Sequence, residues 1–414
     1  MMTSRERVLS AIRHREPDRV PVDLGSTPSS GISAIAYNKL KKHLGITAGH
    51  TRVYDVVQQL AQPEQPILDF IGSDVVDLGR AFLTEPSDWK DFVLPDGSPA
   101  AIPAYIDLRP HDGGYIGYAS DGTPIGAMPR GAYYLSQTRF PLLDWDGDPA
   151  VLDRLPSLMD HVTWSAFPAP PYHKPLTPEH LAEIRRRAKH LYETTDYAIM
   201  VAFGANLLEW GQYLSRMDQF LIDLVESPRK AGALLDKLVE SHLTNLEKVL
   251  AAVDGYVQII QMGDDFGTQL ALEISPRLYR EVFKPRQKLI FDSVKRRSNL
   301  RIFLHSCGAV ADIIPDLIEV GVEILNPVQT SARGMDPMRL KREFGKDITF
   351  WGGGCDTQRV LPEGTPEEID AHVRGRIETF APGGGFVFTQ VHNIMPHVPP
   401  RNVVAMRDAV HRYR

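Results

Sequence analysis

Cys307 and Cys355 are the only cysteines in 414 residues, which excludes a disulfide scaffold. No apolar run approaches the roughly 20 residues that a membrane helix needs. No sustained cluster of lysine and arginine offers a face for phosphates, and the formal net charge is −6. The opening Met1-Met2-Thr3-Ser4-Arg5-Glu6-Arg7 lacks the apolar stretch and small-residue site of a secretory signal. These absences set the expectation of a cytoplasmic protein with neither nucleic acid nor membrane as partner. The nearest basic run, residues 185–190, follows Glu183 in a helical pattern and reads as a solvated helix face.

What is present is an alternation of strand and helix signals. Thr3 or Ser4 can cap a first helix with Glu6 nearby, and Pro17 ends it. Short apolar runs, several closed by glycine, then fall at residues 20–25, 74–79, 197–203, 256–262, 300–304, 322–325, 348–351 and 386–388. Helical patterns separate them. Eight such runs, nearly continuous in apolar residues, predict a (β/α)8 barrel of the TIM type, with parallel strands covered on both faces. The alternation fails between residues 80 and 195. There, alternating stretches around Gly114-Tyr115-Ile116-Gly117-Tyr118 meet an Asp121-Gly122 turn, a hairpin signal. The expectation is one domain over residues 1–414, with a small antiparallel β insertion at about residues 90–140, after the second strand.

In such barrels the chemistry gathers where strands end. The fifth run exits into His305-Ser306-Cys307, and the seventh into Gly352-Gly353-Gly354-Cys355-Asp356. His305 and Cys307 are two apart, so on extended chain they point the same way. One imidazole and two thiolates, His305, Cys307 and Cys355, suit zinc, and three protein ligands leave the fourth position open, as catalytic sites do. The plain alternative is that both cysteines are small buried apolar residues. A thiol entering the open position would lose its proton and stay nucleophilic, while an ether oxygen could be polarised as a leaving group.

Other strand exits supply polar and aromatic groups: Asn206, Glu209 and Trp210 after the third run, Asp264, Asp265 and Phe266 after the fourth, Gln329 after the sixth, and Gln390 and His392 after the eighth. Adjacent Asp264 and Asp265 cannot both face one site; Asp265 is the expected functional one, with Asp264 held by backbone amides. Glu209 is a candidate proton donor or fourth ligand, or an acid on a first helical turn. His392 reads equally as a substrate contact or a structural hydrogen bond. Tyr133, Tyr134, Trp210 and Phe266 could line a cavity for a planar partner, although most aromatic residues are core.

Several stretches together resemble the uroporphyrinogen decarboxylase superfamily: Thr3-Ser4-Arg5-Glu6-Arg7-Val8-Leu9, Asp18-Arg19-Val20-Pro21, the run from Phe303 to Asn326-Pro327-Val328-Gln329, and Pro399-Pro400-Arg401-Asn402-Val403. The resemblance implies a (β/α)8 barrel and two kinds of activity. True decarboxylases carry paired arginines in the first strand's loop. Residues 23–31 contain none here. His305, Cys307 and Cys355 instead fall on the zinc ligands of the corrinoid-linked methyltransferase branch, and His392 matches a histidine of the decarboxylases' last strand. The insertion with Asp121-Gly122-Thr123-Pro124 is similar to that of relatives suspected of demethylating methoxylated compounds.

The resemblance thus implies an enzyme, a zinc-dependent methyltransferase serving a small O-, S- or N-methylated substrate. Asp265, His392 and Glu209 would be catalytic, and Asn206, Trp210, Asp264, Phe266, Gln329, Gln390 and Tyr133 would touch substrate. The implied corrinoid (cobalamin) would sit on a separate partner protein. A homodimer is compatible with this reading. The alternatives are a decarboxylase or lyase acting on a small acid, and a non-catalytic zinc-binding sensor or scaffold.

Overall fold

The computed structural model describes residues 1–414. Seven parallel strands form one curled sheet: Val75–Asp77, Ala198–Gly204, Ile259–Gly263, Arg301–His305, Ile324–Asn326, Thr349–Trp351 and Phe386–Val387, neighbours in chain order. The remaining gap is closed by residues 21–23. Val22 bridges Phe388 in parallel, Asp23 N–H donates to Phe388 O at 2.9 Å, and Asp74 N–H donates to Val22 O at 2.7 Å. The eighth stave is therefore one bridged pair rather than a full strand, because Pro21 has no N–H to give to a ladder. The expected (β/α)8 barrel is the observed fold.

Side-chain alternation along the strands divides the core in two. Val75, Met200, Ile259, Phe303, Ile324, Trp351 and Val387 pack together inside the barrel. Val76, Ile260, Ile302, Leu304 and Phe350 point outward into the larger core. The first helix, Ser4–Ile12, sends Val8, Ala11 and Ile12 into the inner cluster and stoppers the barrel where strands begin. Thr3 and Glu6 form its capping box. Arg7, almost wholly buried, holds this end together through Asp74 at 2.6 Å and Asp18 at 2.7 Å. With one mouth plugged, the interior opens only where strands end.

Antiparallel strands occupy residues 89–137, between the second and third staves. Trp89–Val93 pairs with Pro99–Pro103, and a four-stranded sheet runs from Asp107–His111 to Ser136–Gln137. A hairpin that the sequence reading lacks, Val53–Asp55 with Leu60–Ala61, precedes them. The last strand of the insertion reaches back over the open mouth. Leu135 N–H donates to Val57 O at 2.9 Å, Tyr134 hydroxyl lies 3.0 Å from Met395 Sδ, and Gln137 Nε2 donates to Tyr213 O at 2.6 Å. No helix is long and apolar enough to cross a membrane.

Candidate metal centre and active site

Phe303 lies in the inner cluster, so His305, two residues on, projects into the same interior at the open end. Its tautomer follows from its neighbours. Asn326 Nδ2 donates to Trp351 O at 2.8 Å, which makes Asn326 Oδ1 an acceptor, and Ser29 Oγ already donates to it at 2.7 Å. His305 Nδ1, 2.6 Å from the same oxygen, must then carry its hydrogen. The Nε2 lone pair is left aimed at the mouth.

Three electron-rich groups meet around that lone pair. Cys307 Sγ is 3.4 Å from His305 Nε2, and Asp265 Oδ1 is 3.5 Å from it while accepting Cys307 N–H at 2.8 Å. The His392 ring stands 5.7 Å from the His305 ring, centroid to centroid. The ligand atoms of His305, Cys307 and His392 all lie within 4.8 Å of one another, and each residue is only half-buried. Burial, then the neighbouring His305, holds His392 down at about 4, so it is neutral and able to ligate at neutral pH. Burial, reinforced by the charges of Asp265 and Glu209, raises the Cys307 thiol well above its ordinary range. A thiolate here needs a cation beside it.

Cys355 does not join this group. The trio that converges is His305, Cys307 and His392; the Cys355 thiol is wholly buried in the outer core, with Sγ 3.9 Å from Asp356 O. The cause is local. Gly352 and Gly353 adopt φ of 124° and 67°, a left-handed pair open to glycine, and the strand alternation that faces Trp351 inward is lost before residue 355.

Behind the trio lies a buried carboxylate pair. Asp264 is wholly buried and accepts the backbone N–H of Leu207, Leu208 and Glu209 at 2.9, 3.1 and 3.1 Å, tying the fourth strand's end to the helix Leu208–Ser215. Its oxygens are committed there, so it does not face substrate. Glu209 accepts from Tyr213 hydroxyl at 2.6 Å, from Asn206 Nδ2, and from Asp265 N–H at 3.3 Å. Burial and the Asp265 charge push Glu209 up, favouring a carboxyl that keeps its proton near neutrality. Asn206 thus positions Glu209.

The remaining expected contacts separate by packing. Phe266 is wholly buried against Tyr279 and Phe283 and Gln390 is spent on Ser30 O and Gly31 O at 2.9 and 3.2 Å, so both are framework rather than substrate contacts. Gln329 accepts Gly308 N–H at 2.9 Å and donates to Gln269, bracing the Cys307 loop. Trp210 packs edge-on against Tyr213. Tyr133 is exposed on the insertion, where its neighbour Tyr134 makes the contact with the last strand's loop. Asn326 and Tyr213 are the site residues that the sequence reading passed over. A polar residue closing an apolar run at a strand exit is the signal that could have found Asn326.

Comparison with known proteins fits this picture. The family model described as Uroporphyrinogen decarboxylase (URO-D) matches residues 170–413. The chain belongs to the uroporphyrinogen decarboxylase family. Within it, the chain is 27% identical over 195 residues to the uroporphyrinogen decarboxylase of Pseudoalteromonas translucida, covering 45% of this chain and 49% of that protein. It is 28% identical over 191 residues to that of Pseudomonas paraeruginosa, covering 45% and 50%. The chain thus spans about half the length of these curated relatives. A solved methyltransferase from Methanosarcina mazei is similar in fold, with a TM-score of 0.57 and 18% identity over 100% of this chain and 99% of that one. It shares the barrel.

Proposed function

We propose that this member of the uroporphyrinogen decarboxylase family is a zinc-dependent methyltransferase, moving a methyl group between a small O-, S- or N-methylated molecule and the corrinoid of a separate partner protein. The observation that carries the reading is the convergence of His305 Nε2, Cys307 Sγ and His392 at the open mouth of the barrel. Two imidazoles and a thiol, all half-buried, match the donor set of zinc with a position left for substrate. Zinc held there would supply a Lewis acid for the substrate's oxygen, sulfur or nitrogen.

The chain's own residues supply the rest. When the bond between the methyl carbon and the heteroatom breaks, the heteroatom keeps the electron pair and gains negative charge. Glu209, whose carboxyl is pushed up by burial and the Asp265 charge, would be the acid that answers that charge, and Asp265 links it to the Cys307 backbone. Asn326 fixes the His305 tautomer, and Tyr134, Leu135 and Gln137 of the insertion make contacts across the mouth to Met395, Val57 and Tyr213. Residues 23–31 hold no arginine to bind several carboxylates, which disfavours a porphyrinogen-type substrate.

The test is metal analysis together with the spectrum of cob(I)alamin mixed with protein and candidate methyl donors. Stoichiometric zinc and a donor-dependent change in the cobalt spectrum are the expected results. Zinc-free, fully folded protein, or carbon dioxide released from a small acid with no methyl acceptor, would replace this reading with the decarboxylase one.

A further inference from the structure

The third stave leaves the barrel through a strained turn. Gly204, its last residue, has a φ of 85° and Ala205 a φ of 57°, and a left-handed backbone costs any residue that carries a Cβ. Ala205 is also almost wholly buried, so the turn is imposed by its surroundings rather than by its own preference. Two groups impose it. Asp264 takes the backbone N–H groups of the three residues from Leu207 to Glu209, and His242 Nε2 lies 3.1 Å from the carbonyl oxygen of Asn206.

His242 reaches the turn from the long helix Pro228–Val253, where it is one of the buried residues. A carbonyl only accepts, so Nε2 carries the ring's hydrogen. Burial, opposed only by the Asn206 carbonyl, holds the imidazole down at about 4, so a neutral donor enters the core where a lysine or arginine would bury a charge. The residue it grips is the one aimed at the acid: Asn206 Nδ2 donates to Glu209. The Asn206 side chain has little room. A Cβ built on Gly263, at the end of the fourth stave, would meet its Nδ2 at 2.8 Å, and one on Gly204 would meet its Oδ1 at 3.0 Å. The amide is wedged between the ends of two neighbouring staves, and His242 fixes the backbone that carries it.

We propose that His242 is a positioning residue: by donating to Asn206 O it locks the Gly204-Ala205 turn in its left-handed form and so keeps the Asn206 amide on Glu209. The role rests on reading Glu209 as the acid of the methyl-transfer site, and it adds a residue that touches neither substrate nor metal. Without this donor the Asn206 carbonyl loses its partner, and the turn is free to relax towards the right-handed backbone that alanine prefers. That relaxation carries the Asn206 side chain away from Glu209. The acid then keeps only the Tyr213 hydroxyl and the Asp265 N–H of its three donors.

NMR of the full chain carrying isotope-labelled asparagine tests this without turnover, the Asn206 side-chain amide being assigned by its absence in Asn206→Ala. In the wild type its Nδ2–H should exchange with water about tenfold more slowly than exposed carboxamides. His242→Leu, checked for folding by circular dichroism, should lose that protection, and His242→Gln, whose Nε2–H can reach the same carbonyl, should restore it. In methyl transfer, His242→Leu should lower kcat about tenfold with KM little changed, because the group displaced serves the acid and not the substrate. Protection undiminished in folded His242→Leu, protection lost equally in His242→Gln, or kcat unchanged once protection is lost overturns the role. The wild type supplies a test that needs no variant to fold: with labelled histidine at neutral pH, the ring must be the Nε2–H tautomer, and an Nδ1–H or doubly protonated His242 overturns the proposal. Protection that follows His242 while cob(I)alamin stays unmethylated by every donor removes the methyltransferase reading and leaves the positioning of Asn206.

Discussion

His305 Nδ1 sits 2.6 Å from Asn326 Oδ1, and the Asn326 amide is itself fixed by donating to the Trp351 carbonyl at 2.8 Å. Three consecutive staves thus cooperate to aim one lone pair. Replacing Asn326 with leucine should free the imidazole to change tautomer and orientation. We expect zinc affinity to fall about 10- to 100-fold, as for other partners of ligating histidines, measured by competition with a chromogenic chelator. Unchanged affinity would mean that the tautomer is set elsewhere.

The two cysteines should separate cleanly. Cys307→Ser or His392→Ala should abolish stoichiometric zinc, whereas Cys355→Ser should retain it, because Cys355 lies in the outer core and outside the converging trio. Atomic absorption on the three purified variants decides this. Zinc lost from Cys355→Ser alone would restore that thiol as a ligand.

Asp264 is expected to matter for stability before chemistry. Asp264→Ala would strip three buried backbone amides of their acceptor and should cost about 2–4 kcal/mol in urea unfolding, since each unpaired buried group is penalised. A variant as stable as the wild type would show that water or a shifted helix replaces the carboxyl.

A pH signature should report on Asp77. Burial, only partly offset by the amides of Gly79 and Leu78 and by the charge of Arg80, raises this carboxyl to about 7. Between its unfolded value near 4 and about 7 the folded protein binds more protons than the unfolded chain, so stability falls as pH rises through that window. Asp77→Asn removes this loss. Relative to the wild type, the variant should gain about 2 kcal/mol or more between pH 4 and pH 8, read from unfolding midpoints. A pH-independent difference would place the Asp77 carboxyl in contact with water.

The sequence by itself determined the barrel, because parallel strands covered on both faces must be apolar throughout, and eight such runs can be counted. It also located His305 and Cys307, since a spacing of two on extended chain keeps side chains on one face. Alternation carried the reading only as far as the backbone stayed extended. After Trp351, two left-handed glycines turn the chain, and Cys355 passes from an expected ligand to the outer core. His392 comes beside His305 from a loop 85 residues beyond Cys307 (392 − 307), after a stave three places away around the sheet, so the two meet only across the mouth of the closed barrel. That Asp264 rather than Asp265 is spent on amides was legible in the sequence, whereas which amides it takes, those of Leu207, Leu208 and Glu209 at the neighbouring stave's exit, was decided by packing. Those groupings are set by packing across the barrel mouth, where no periodicity along the chain has any hold.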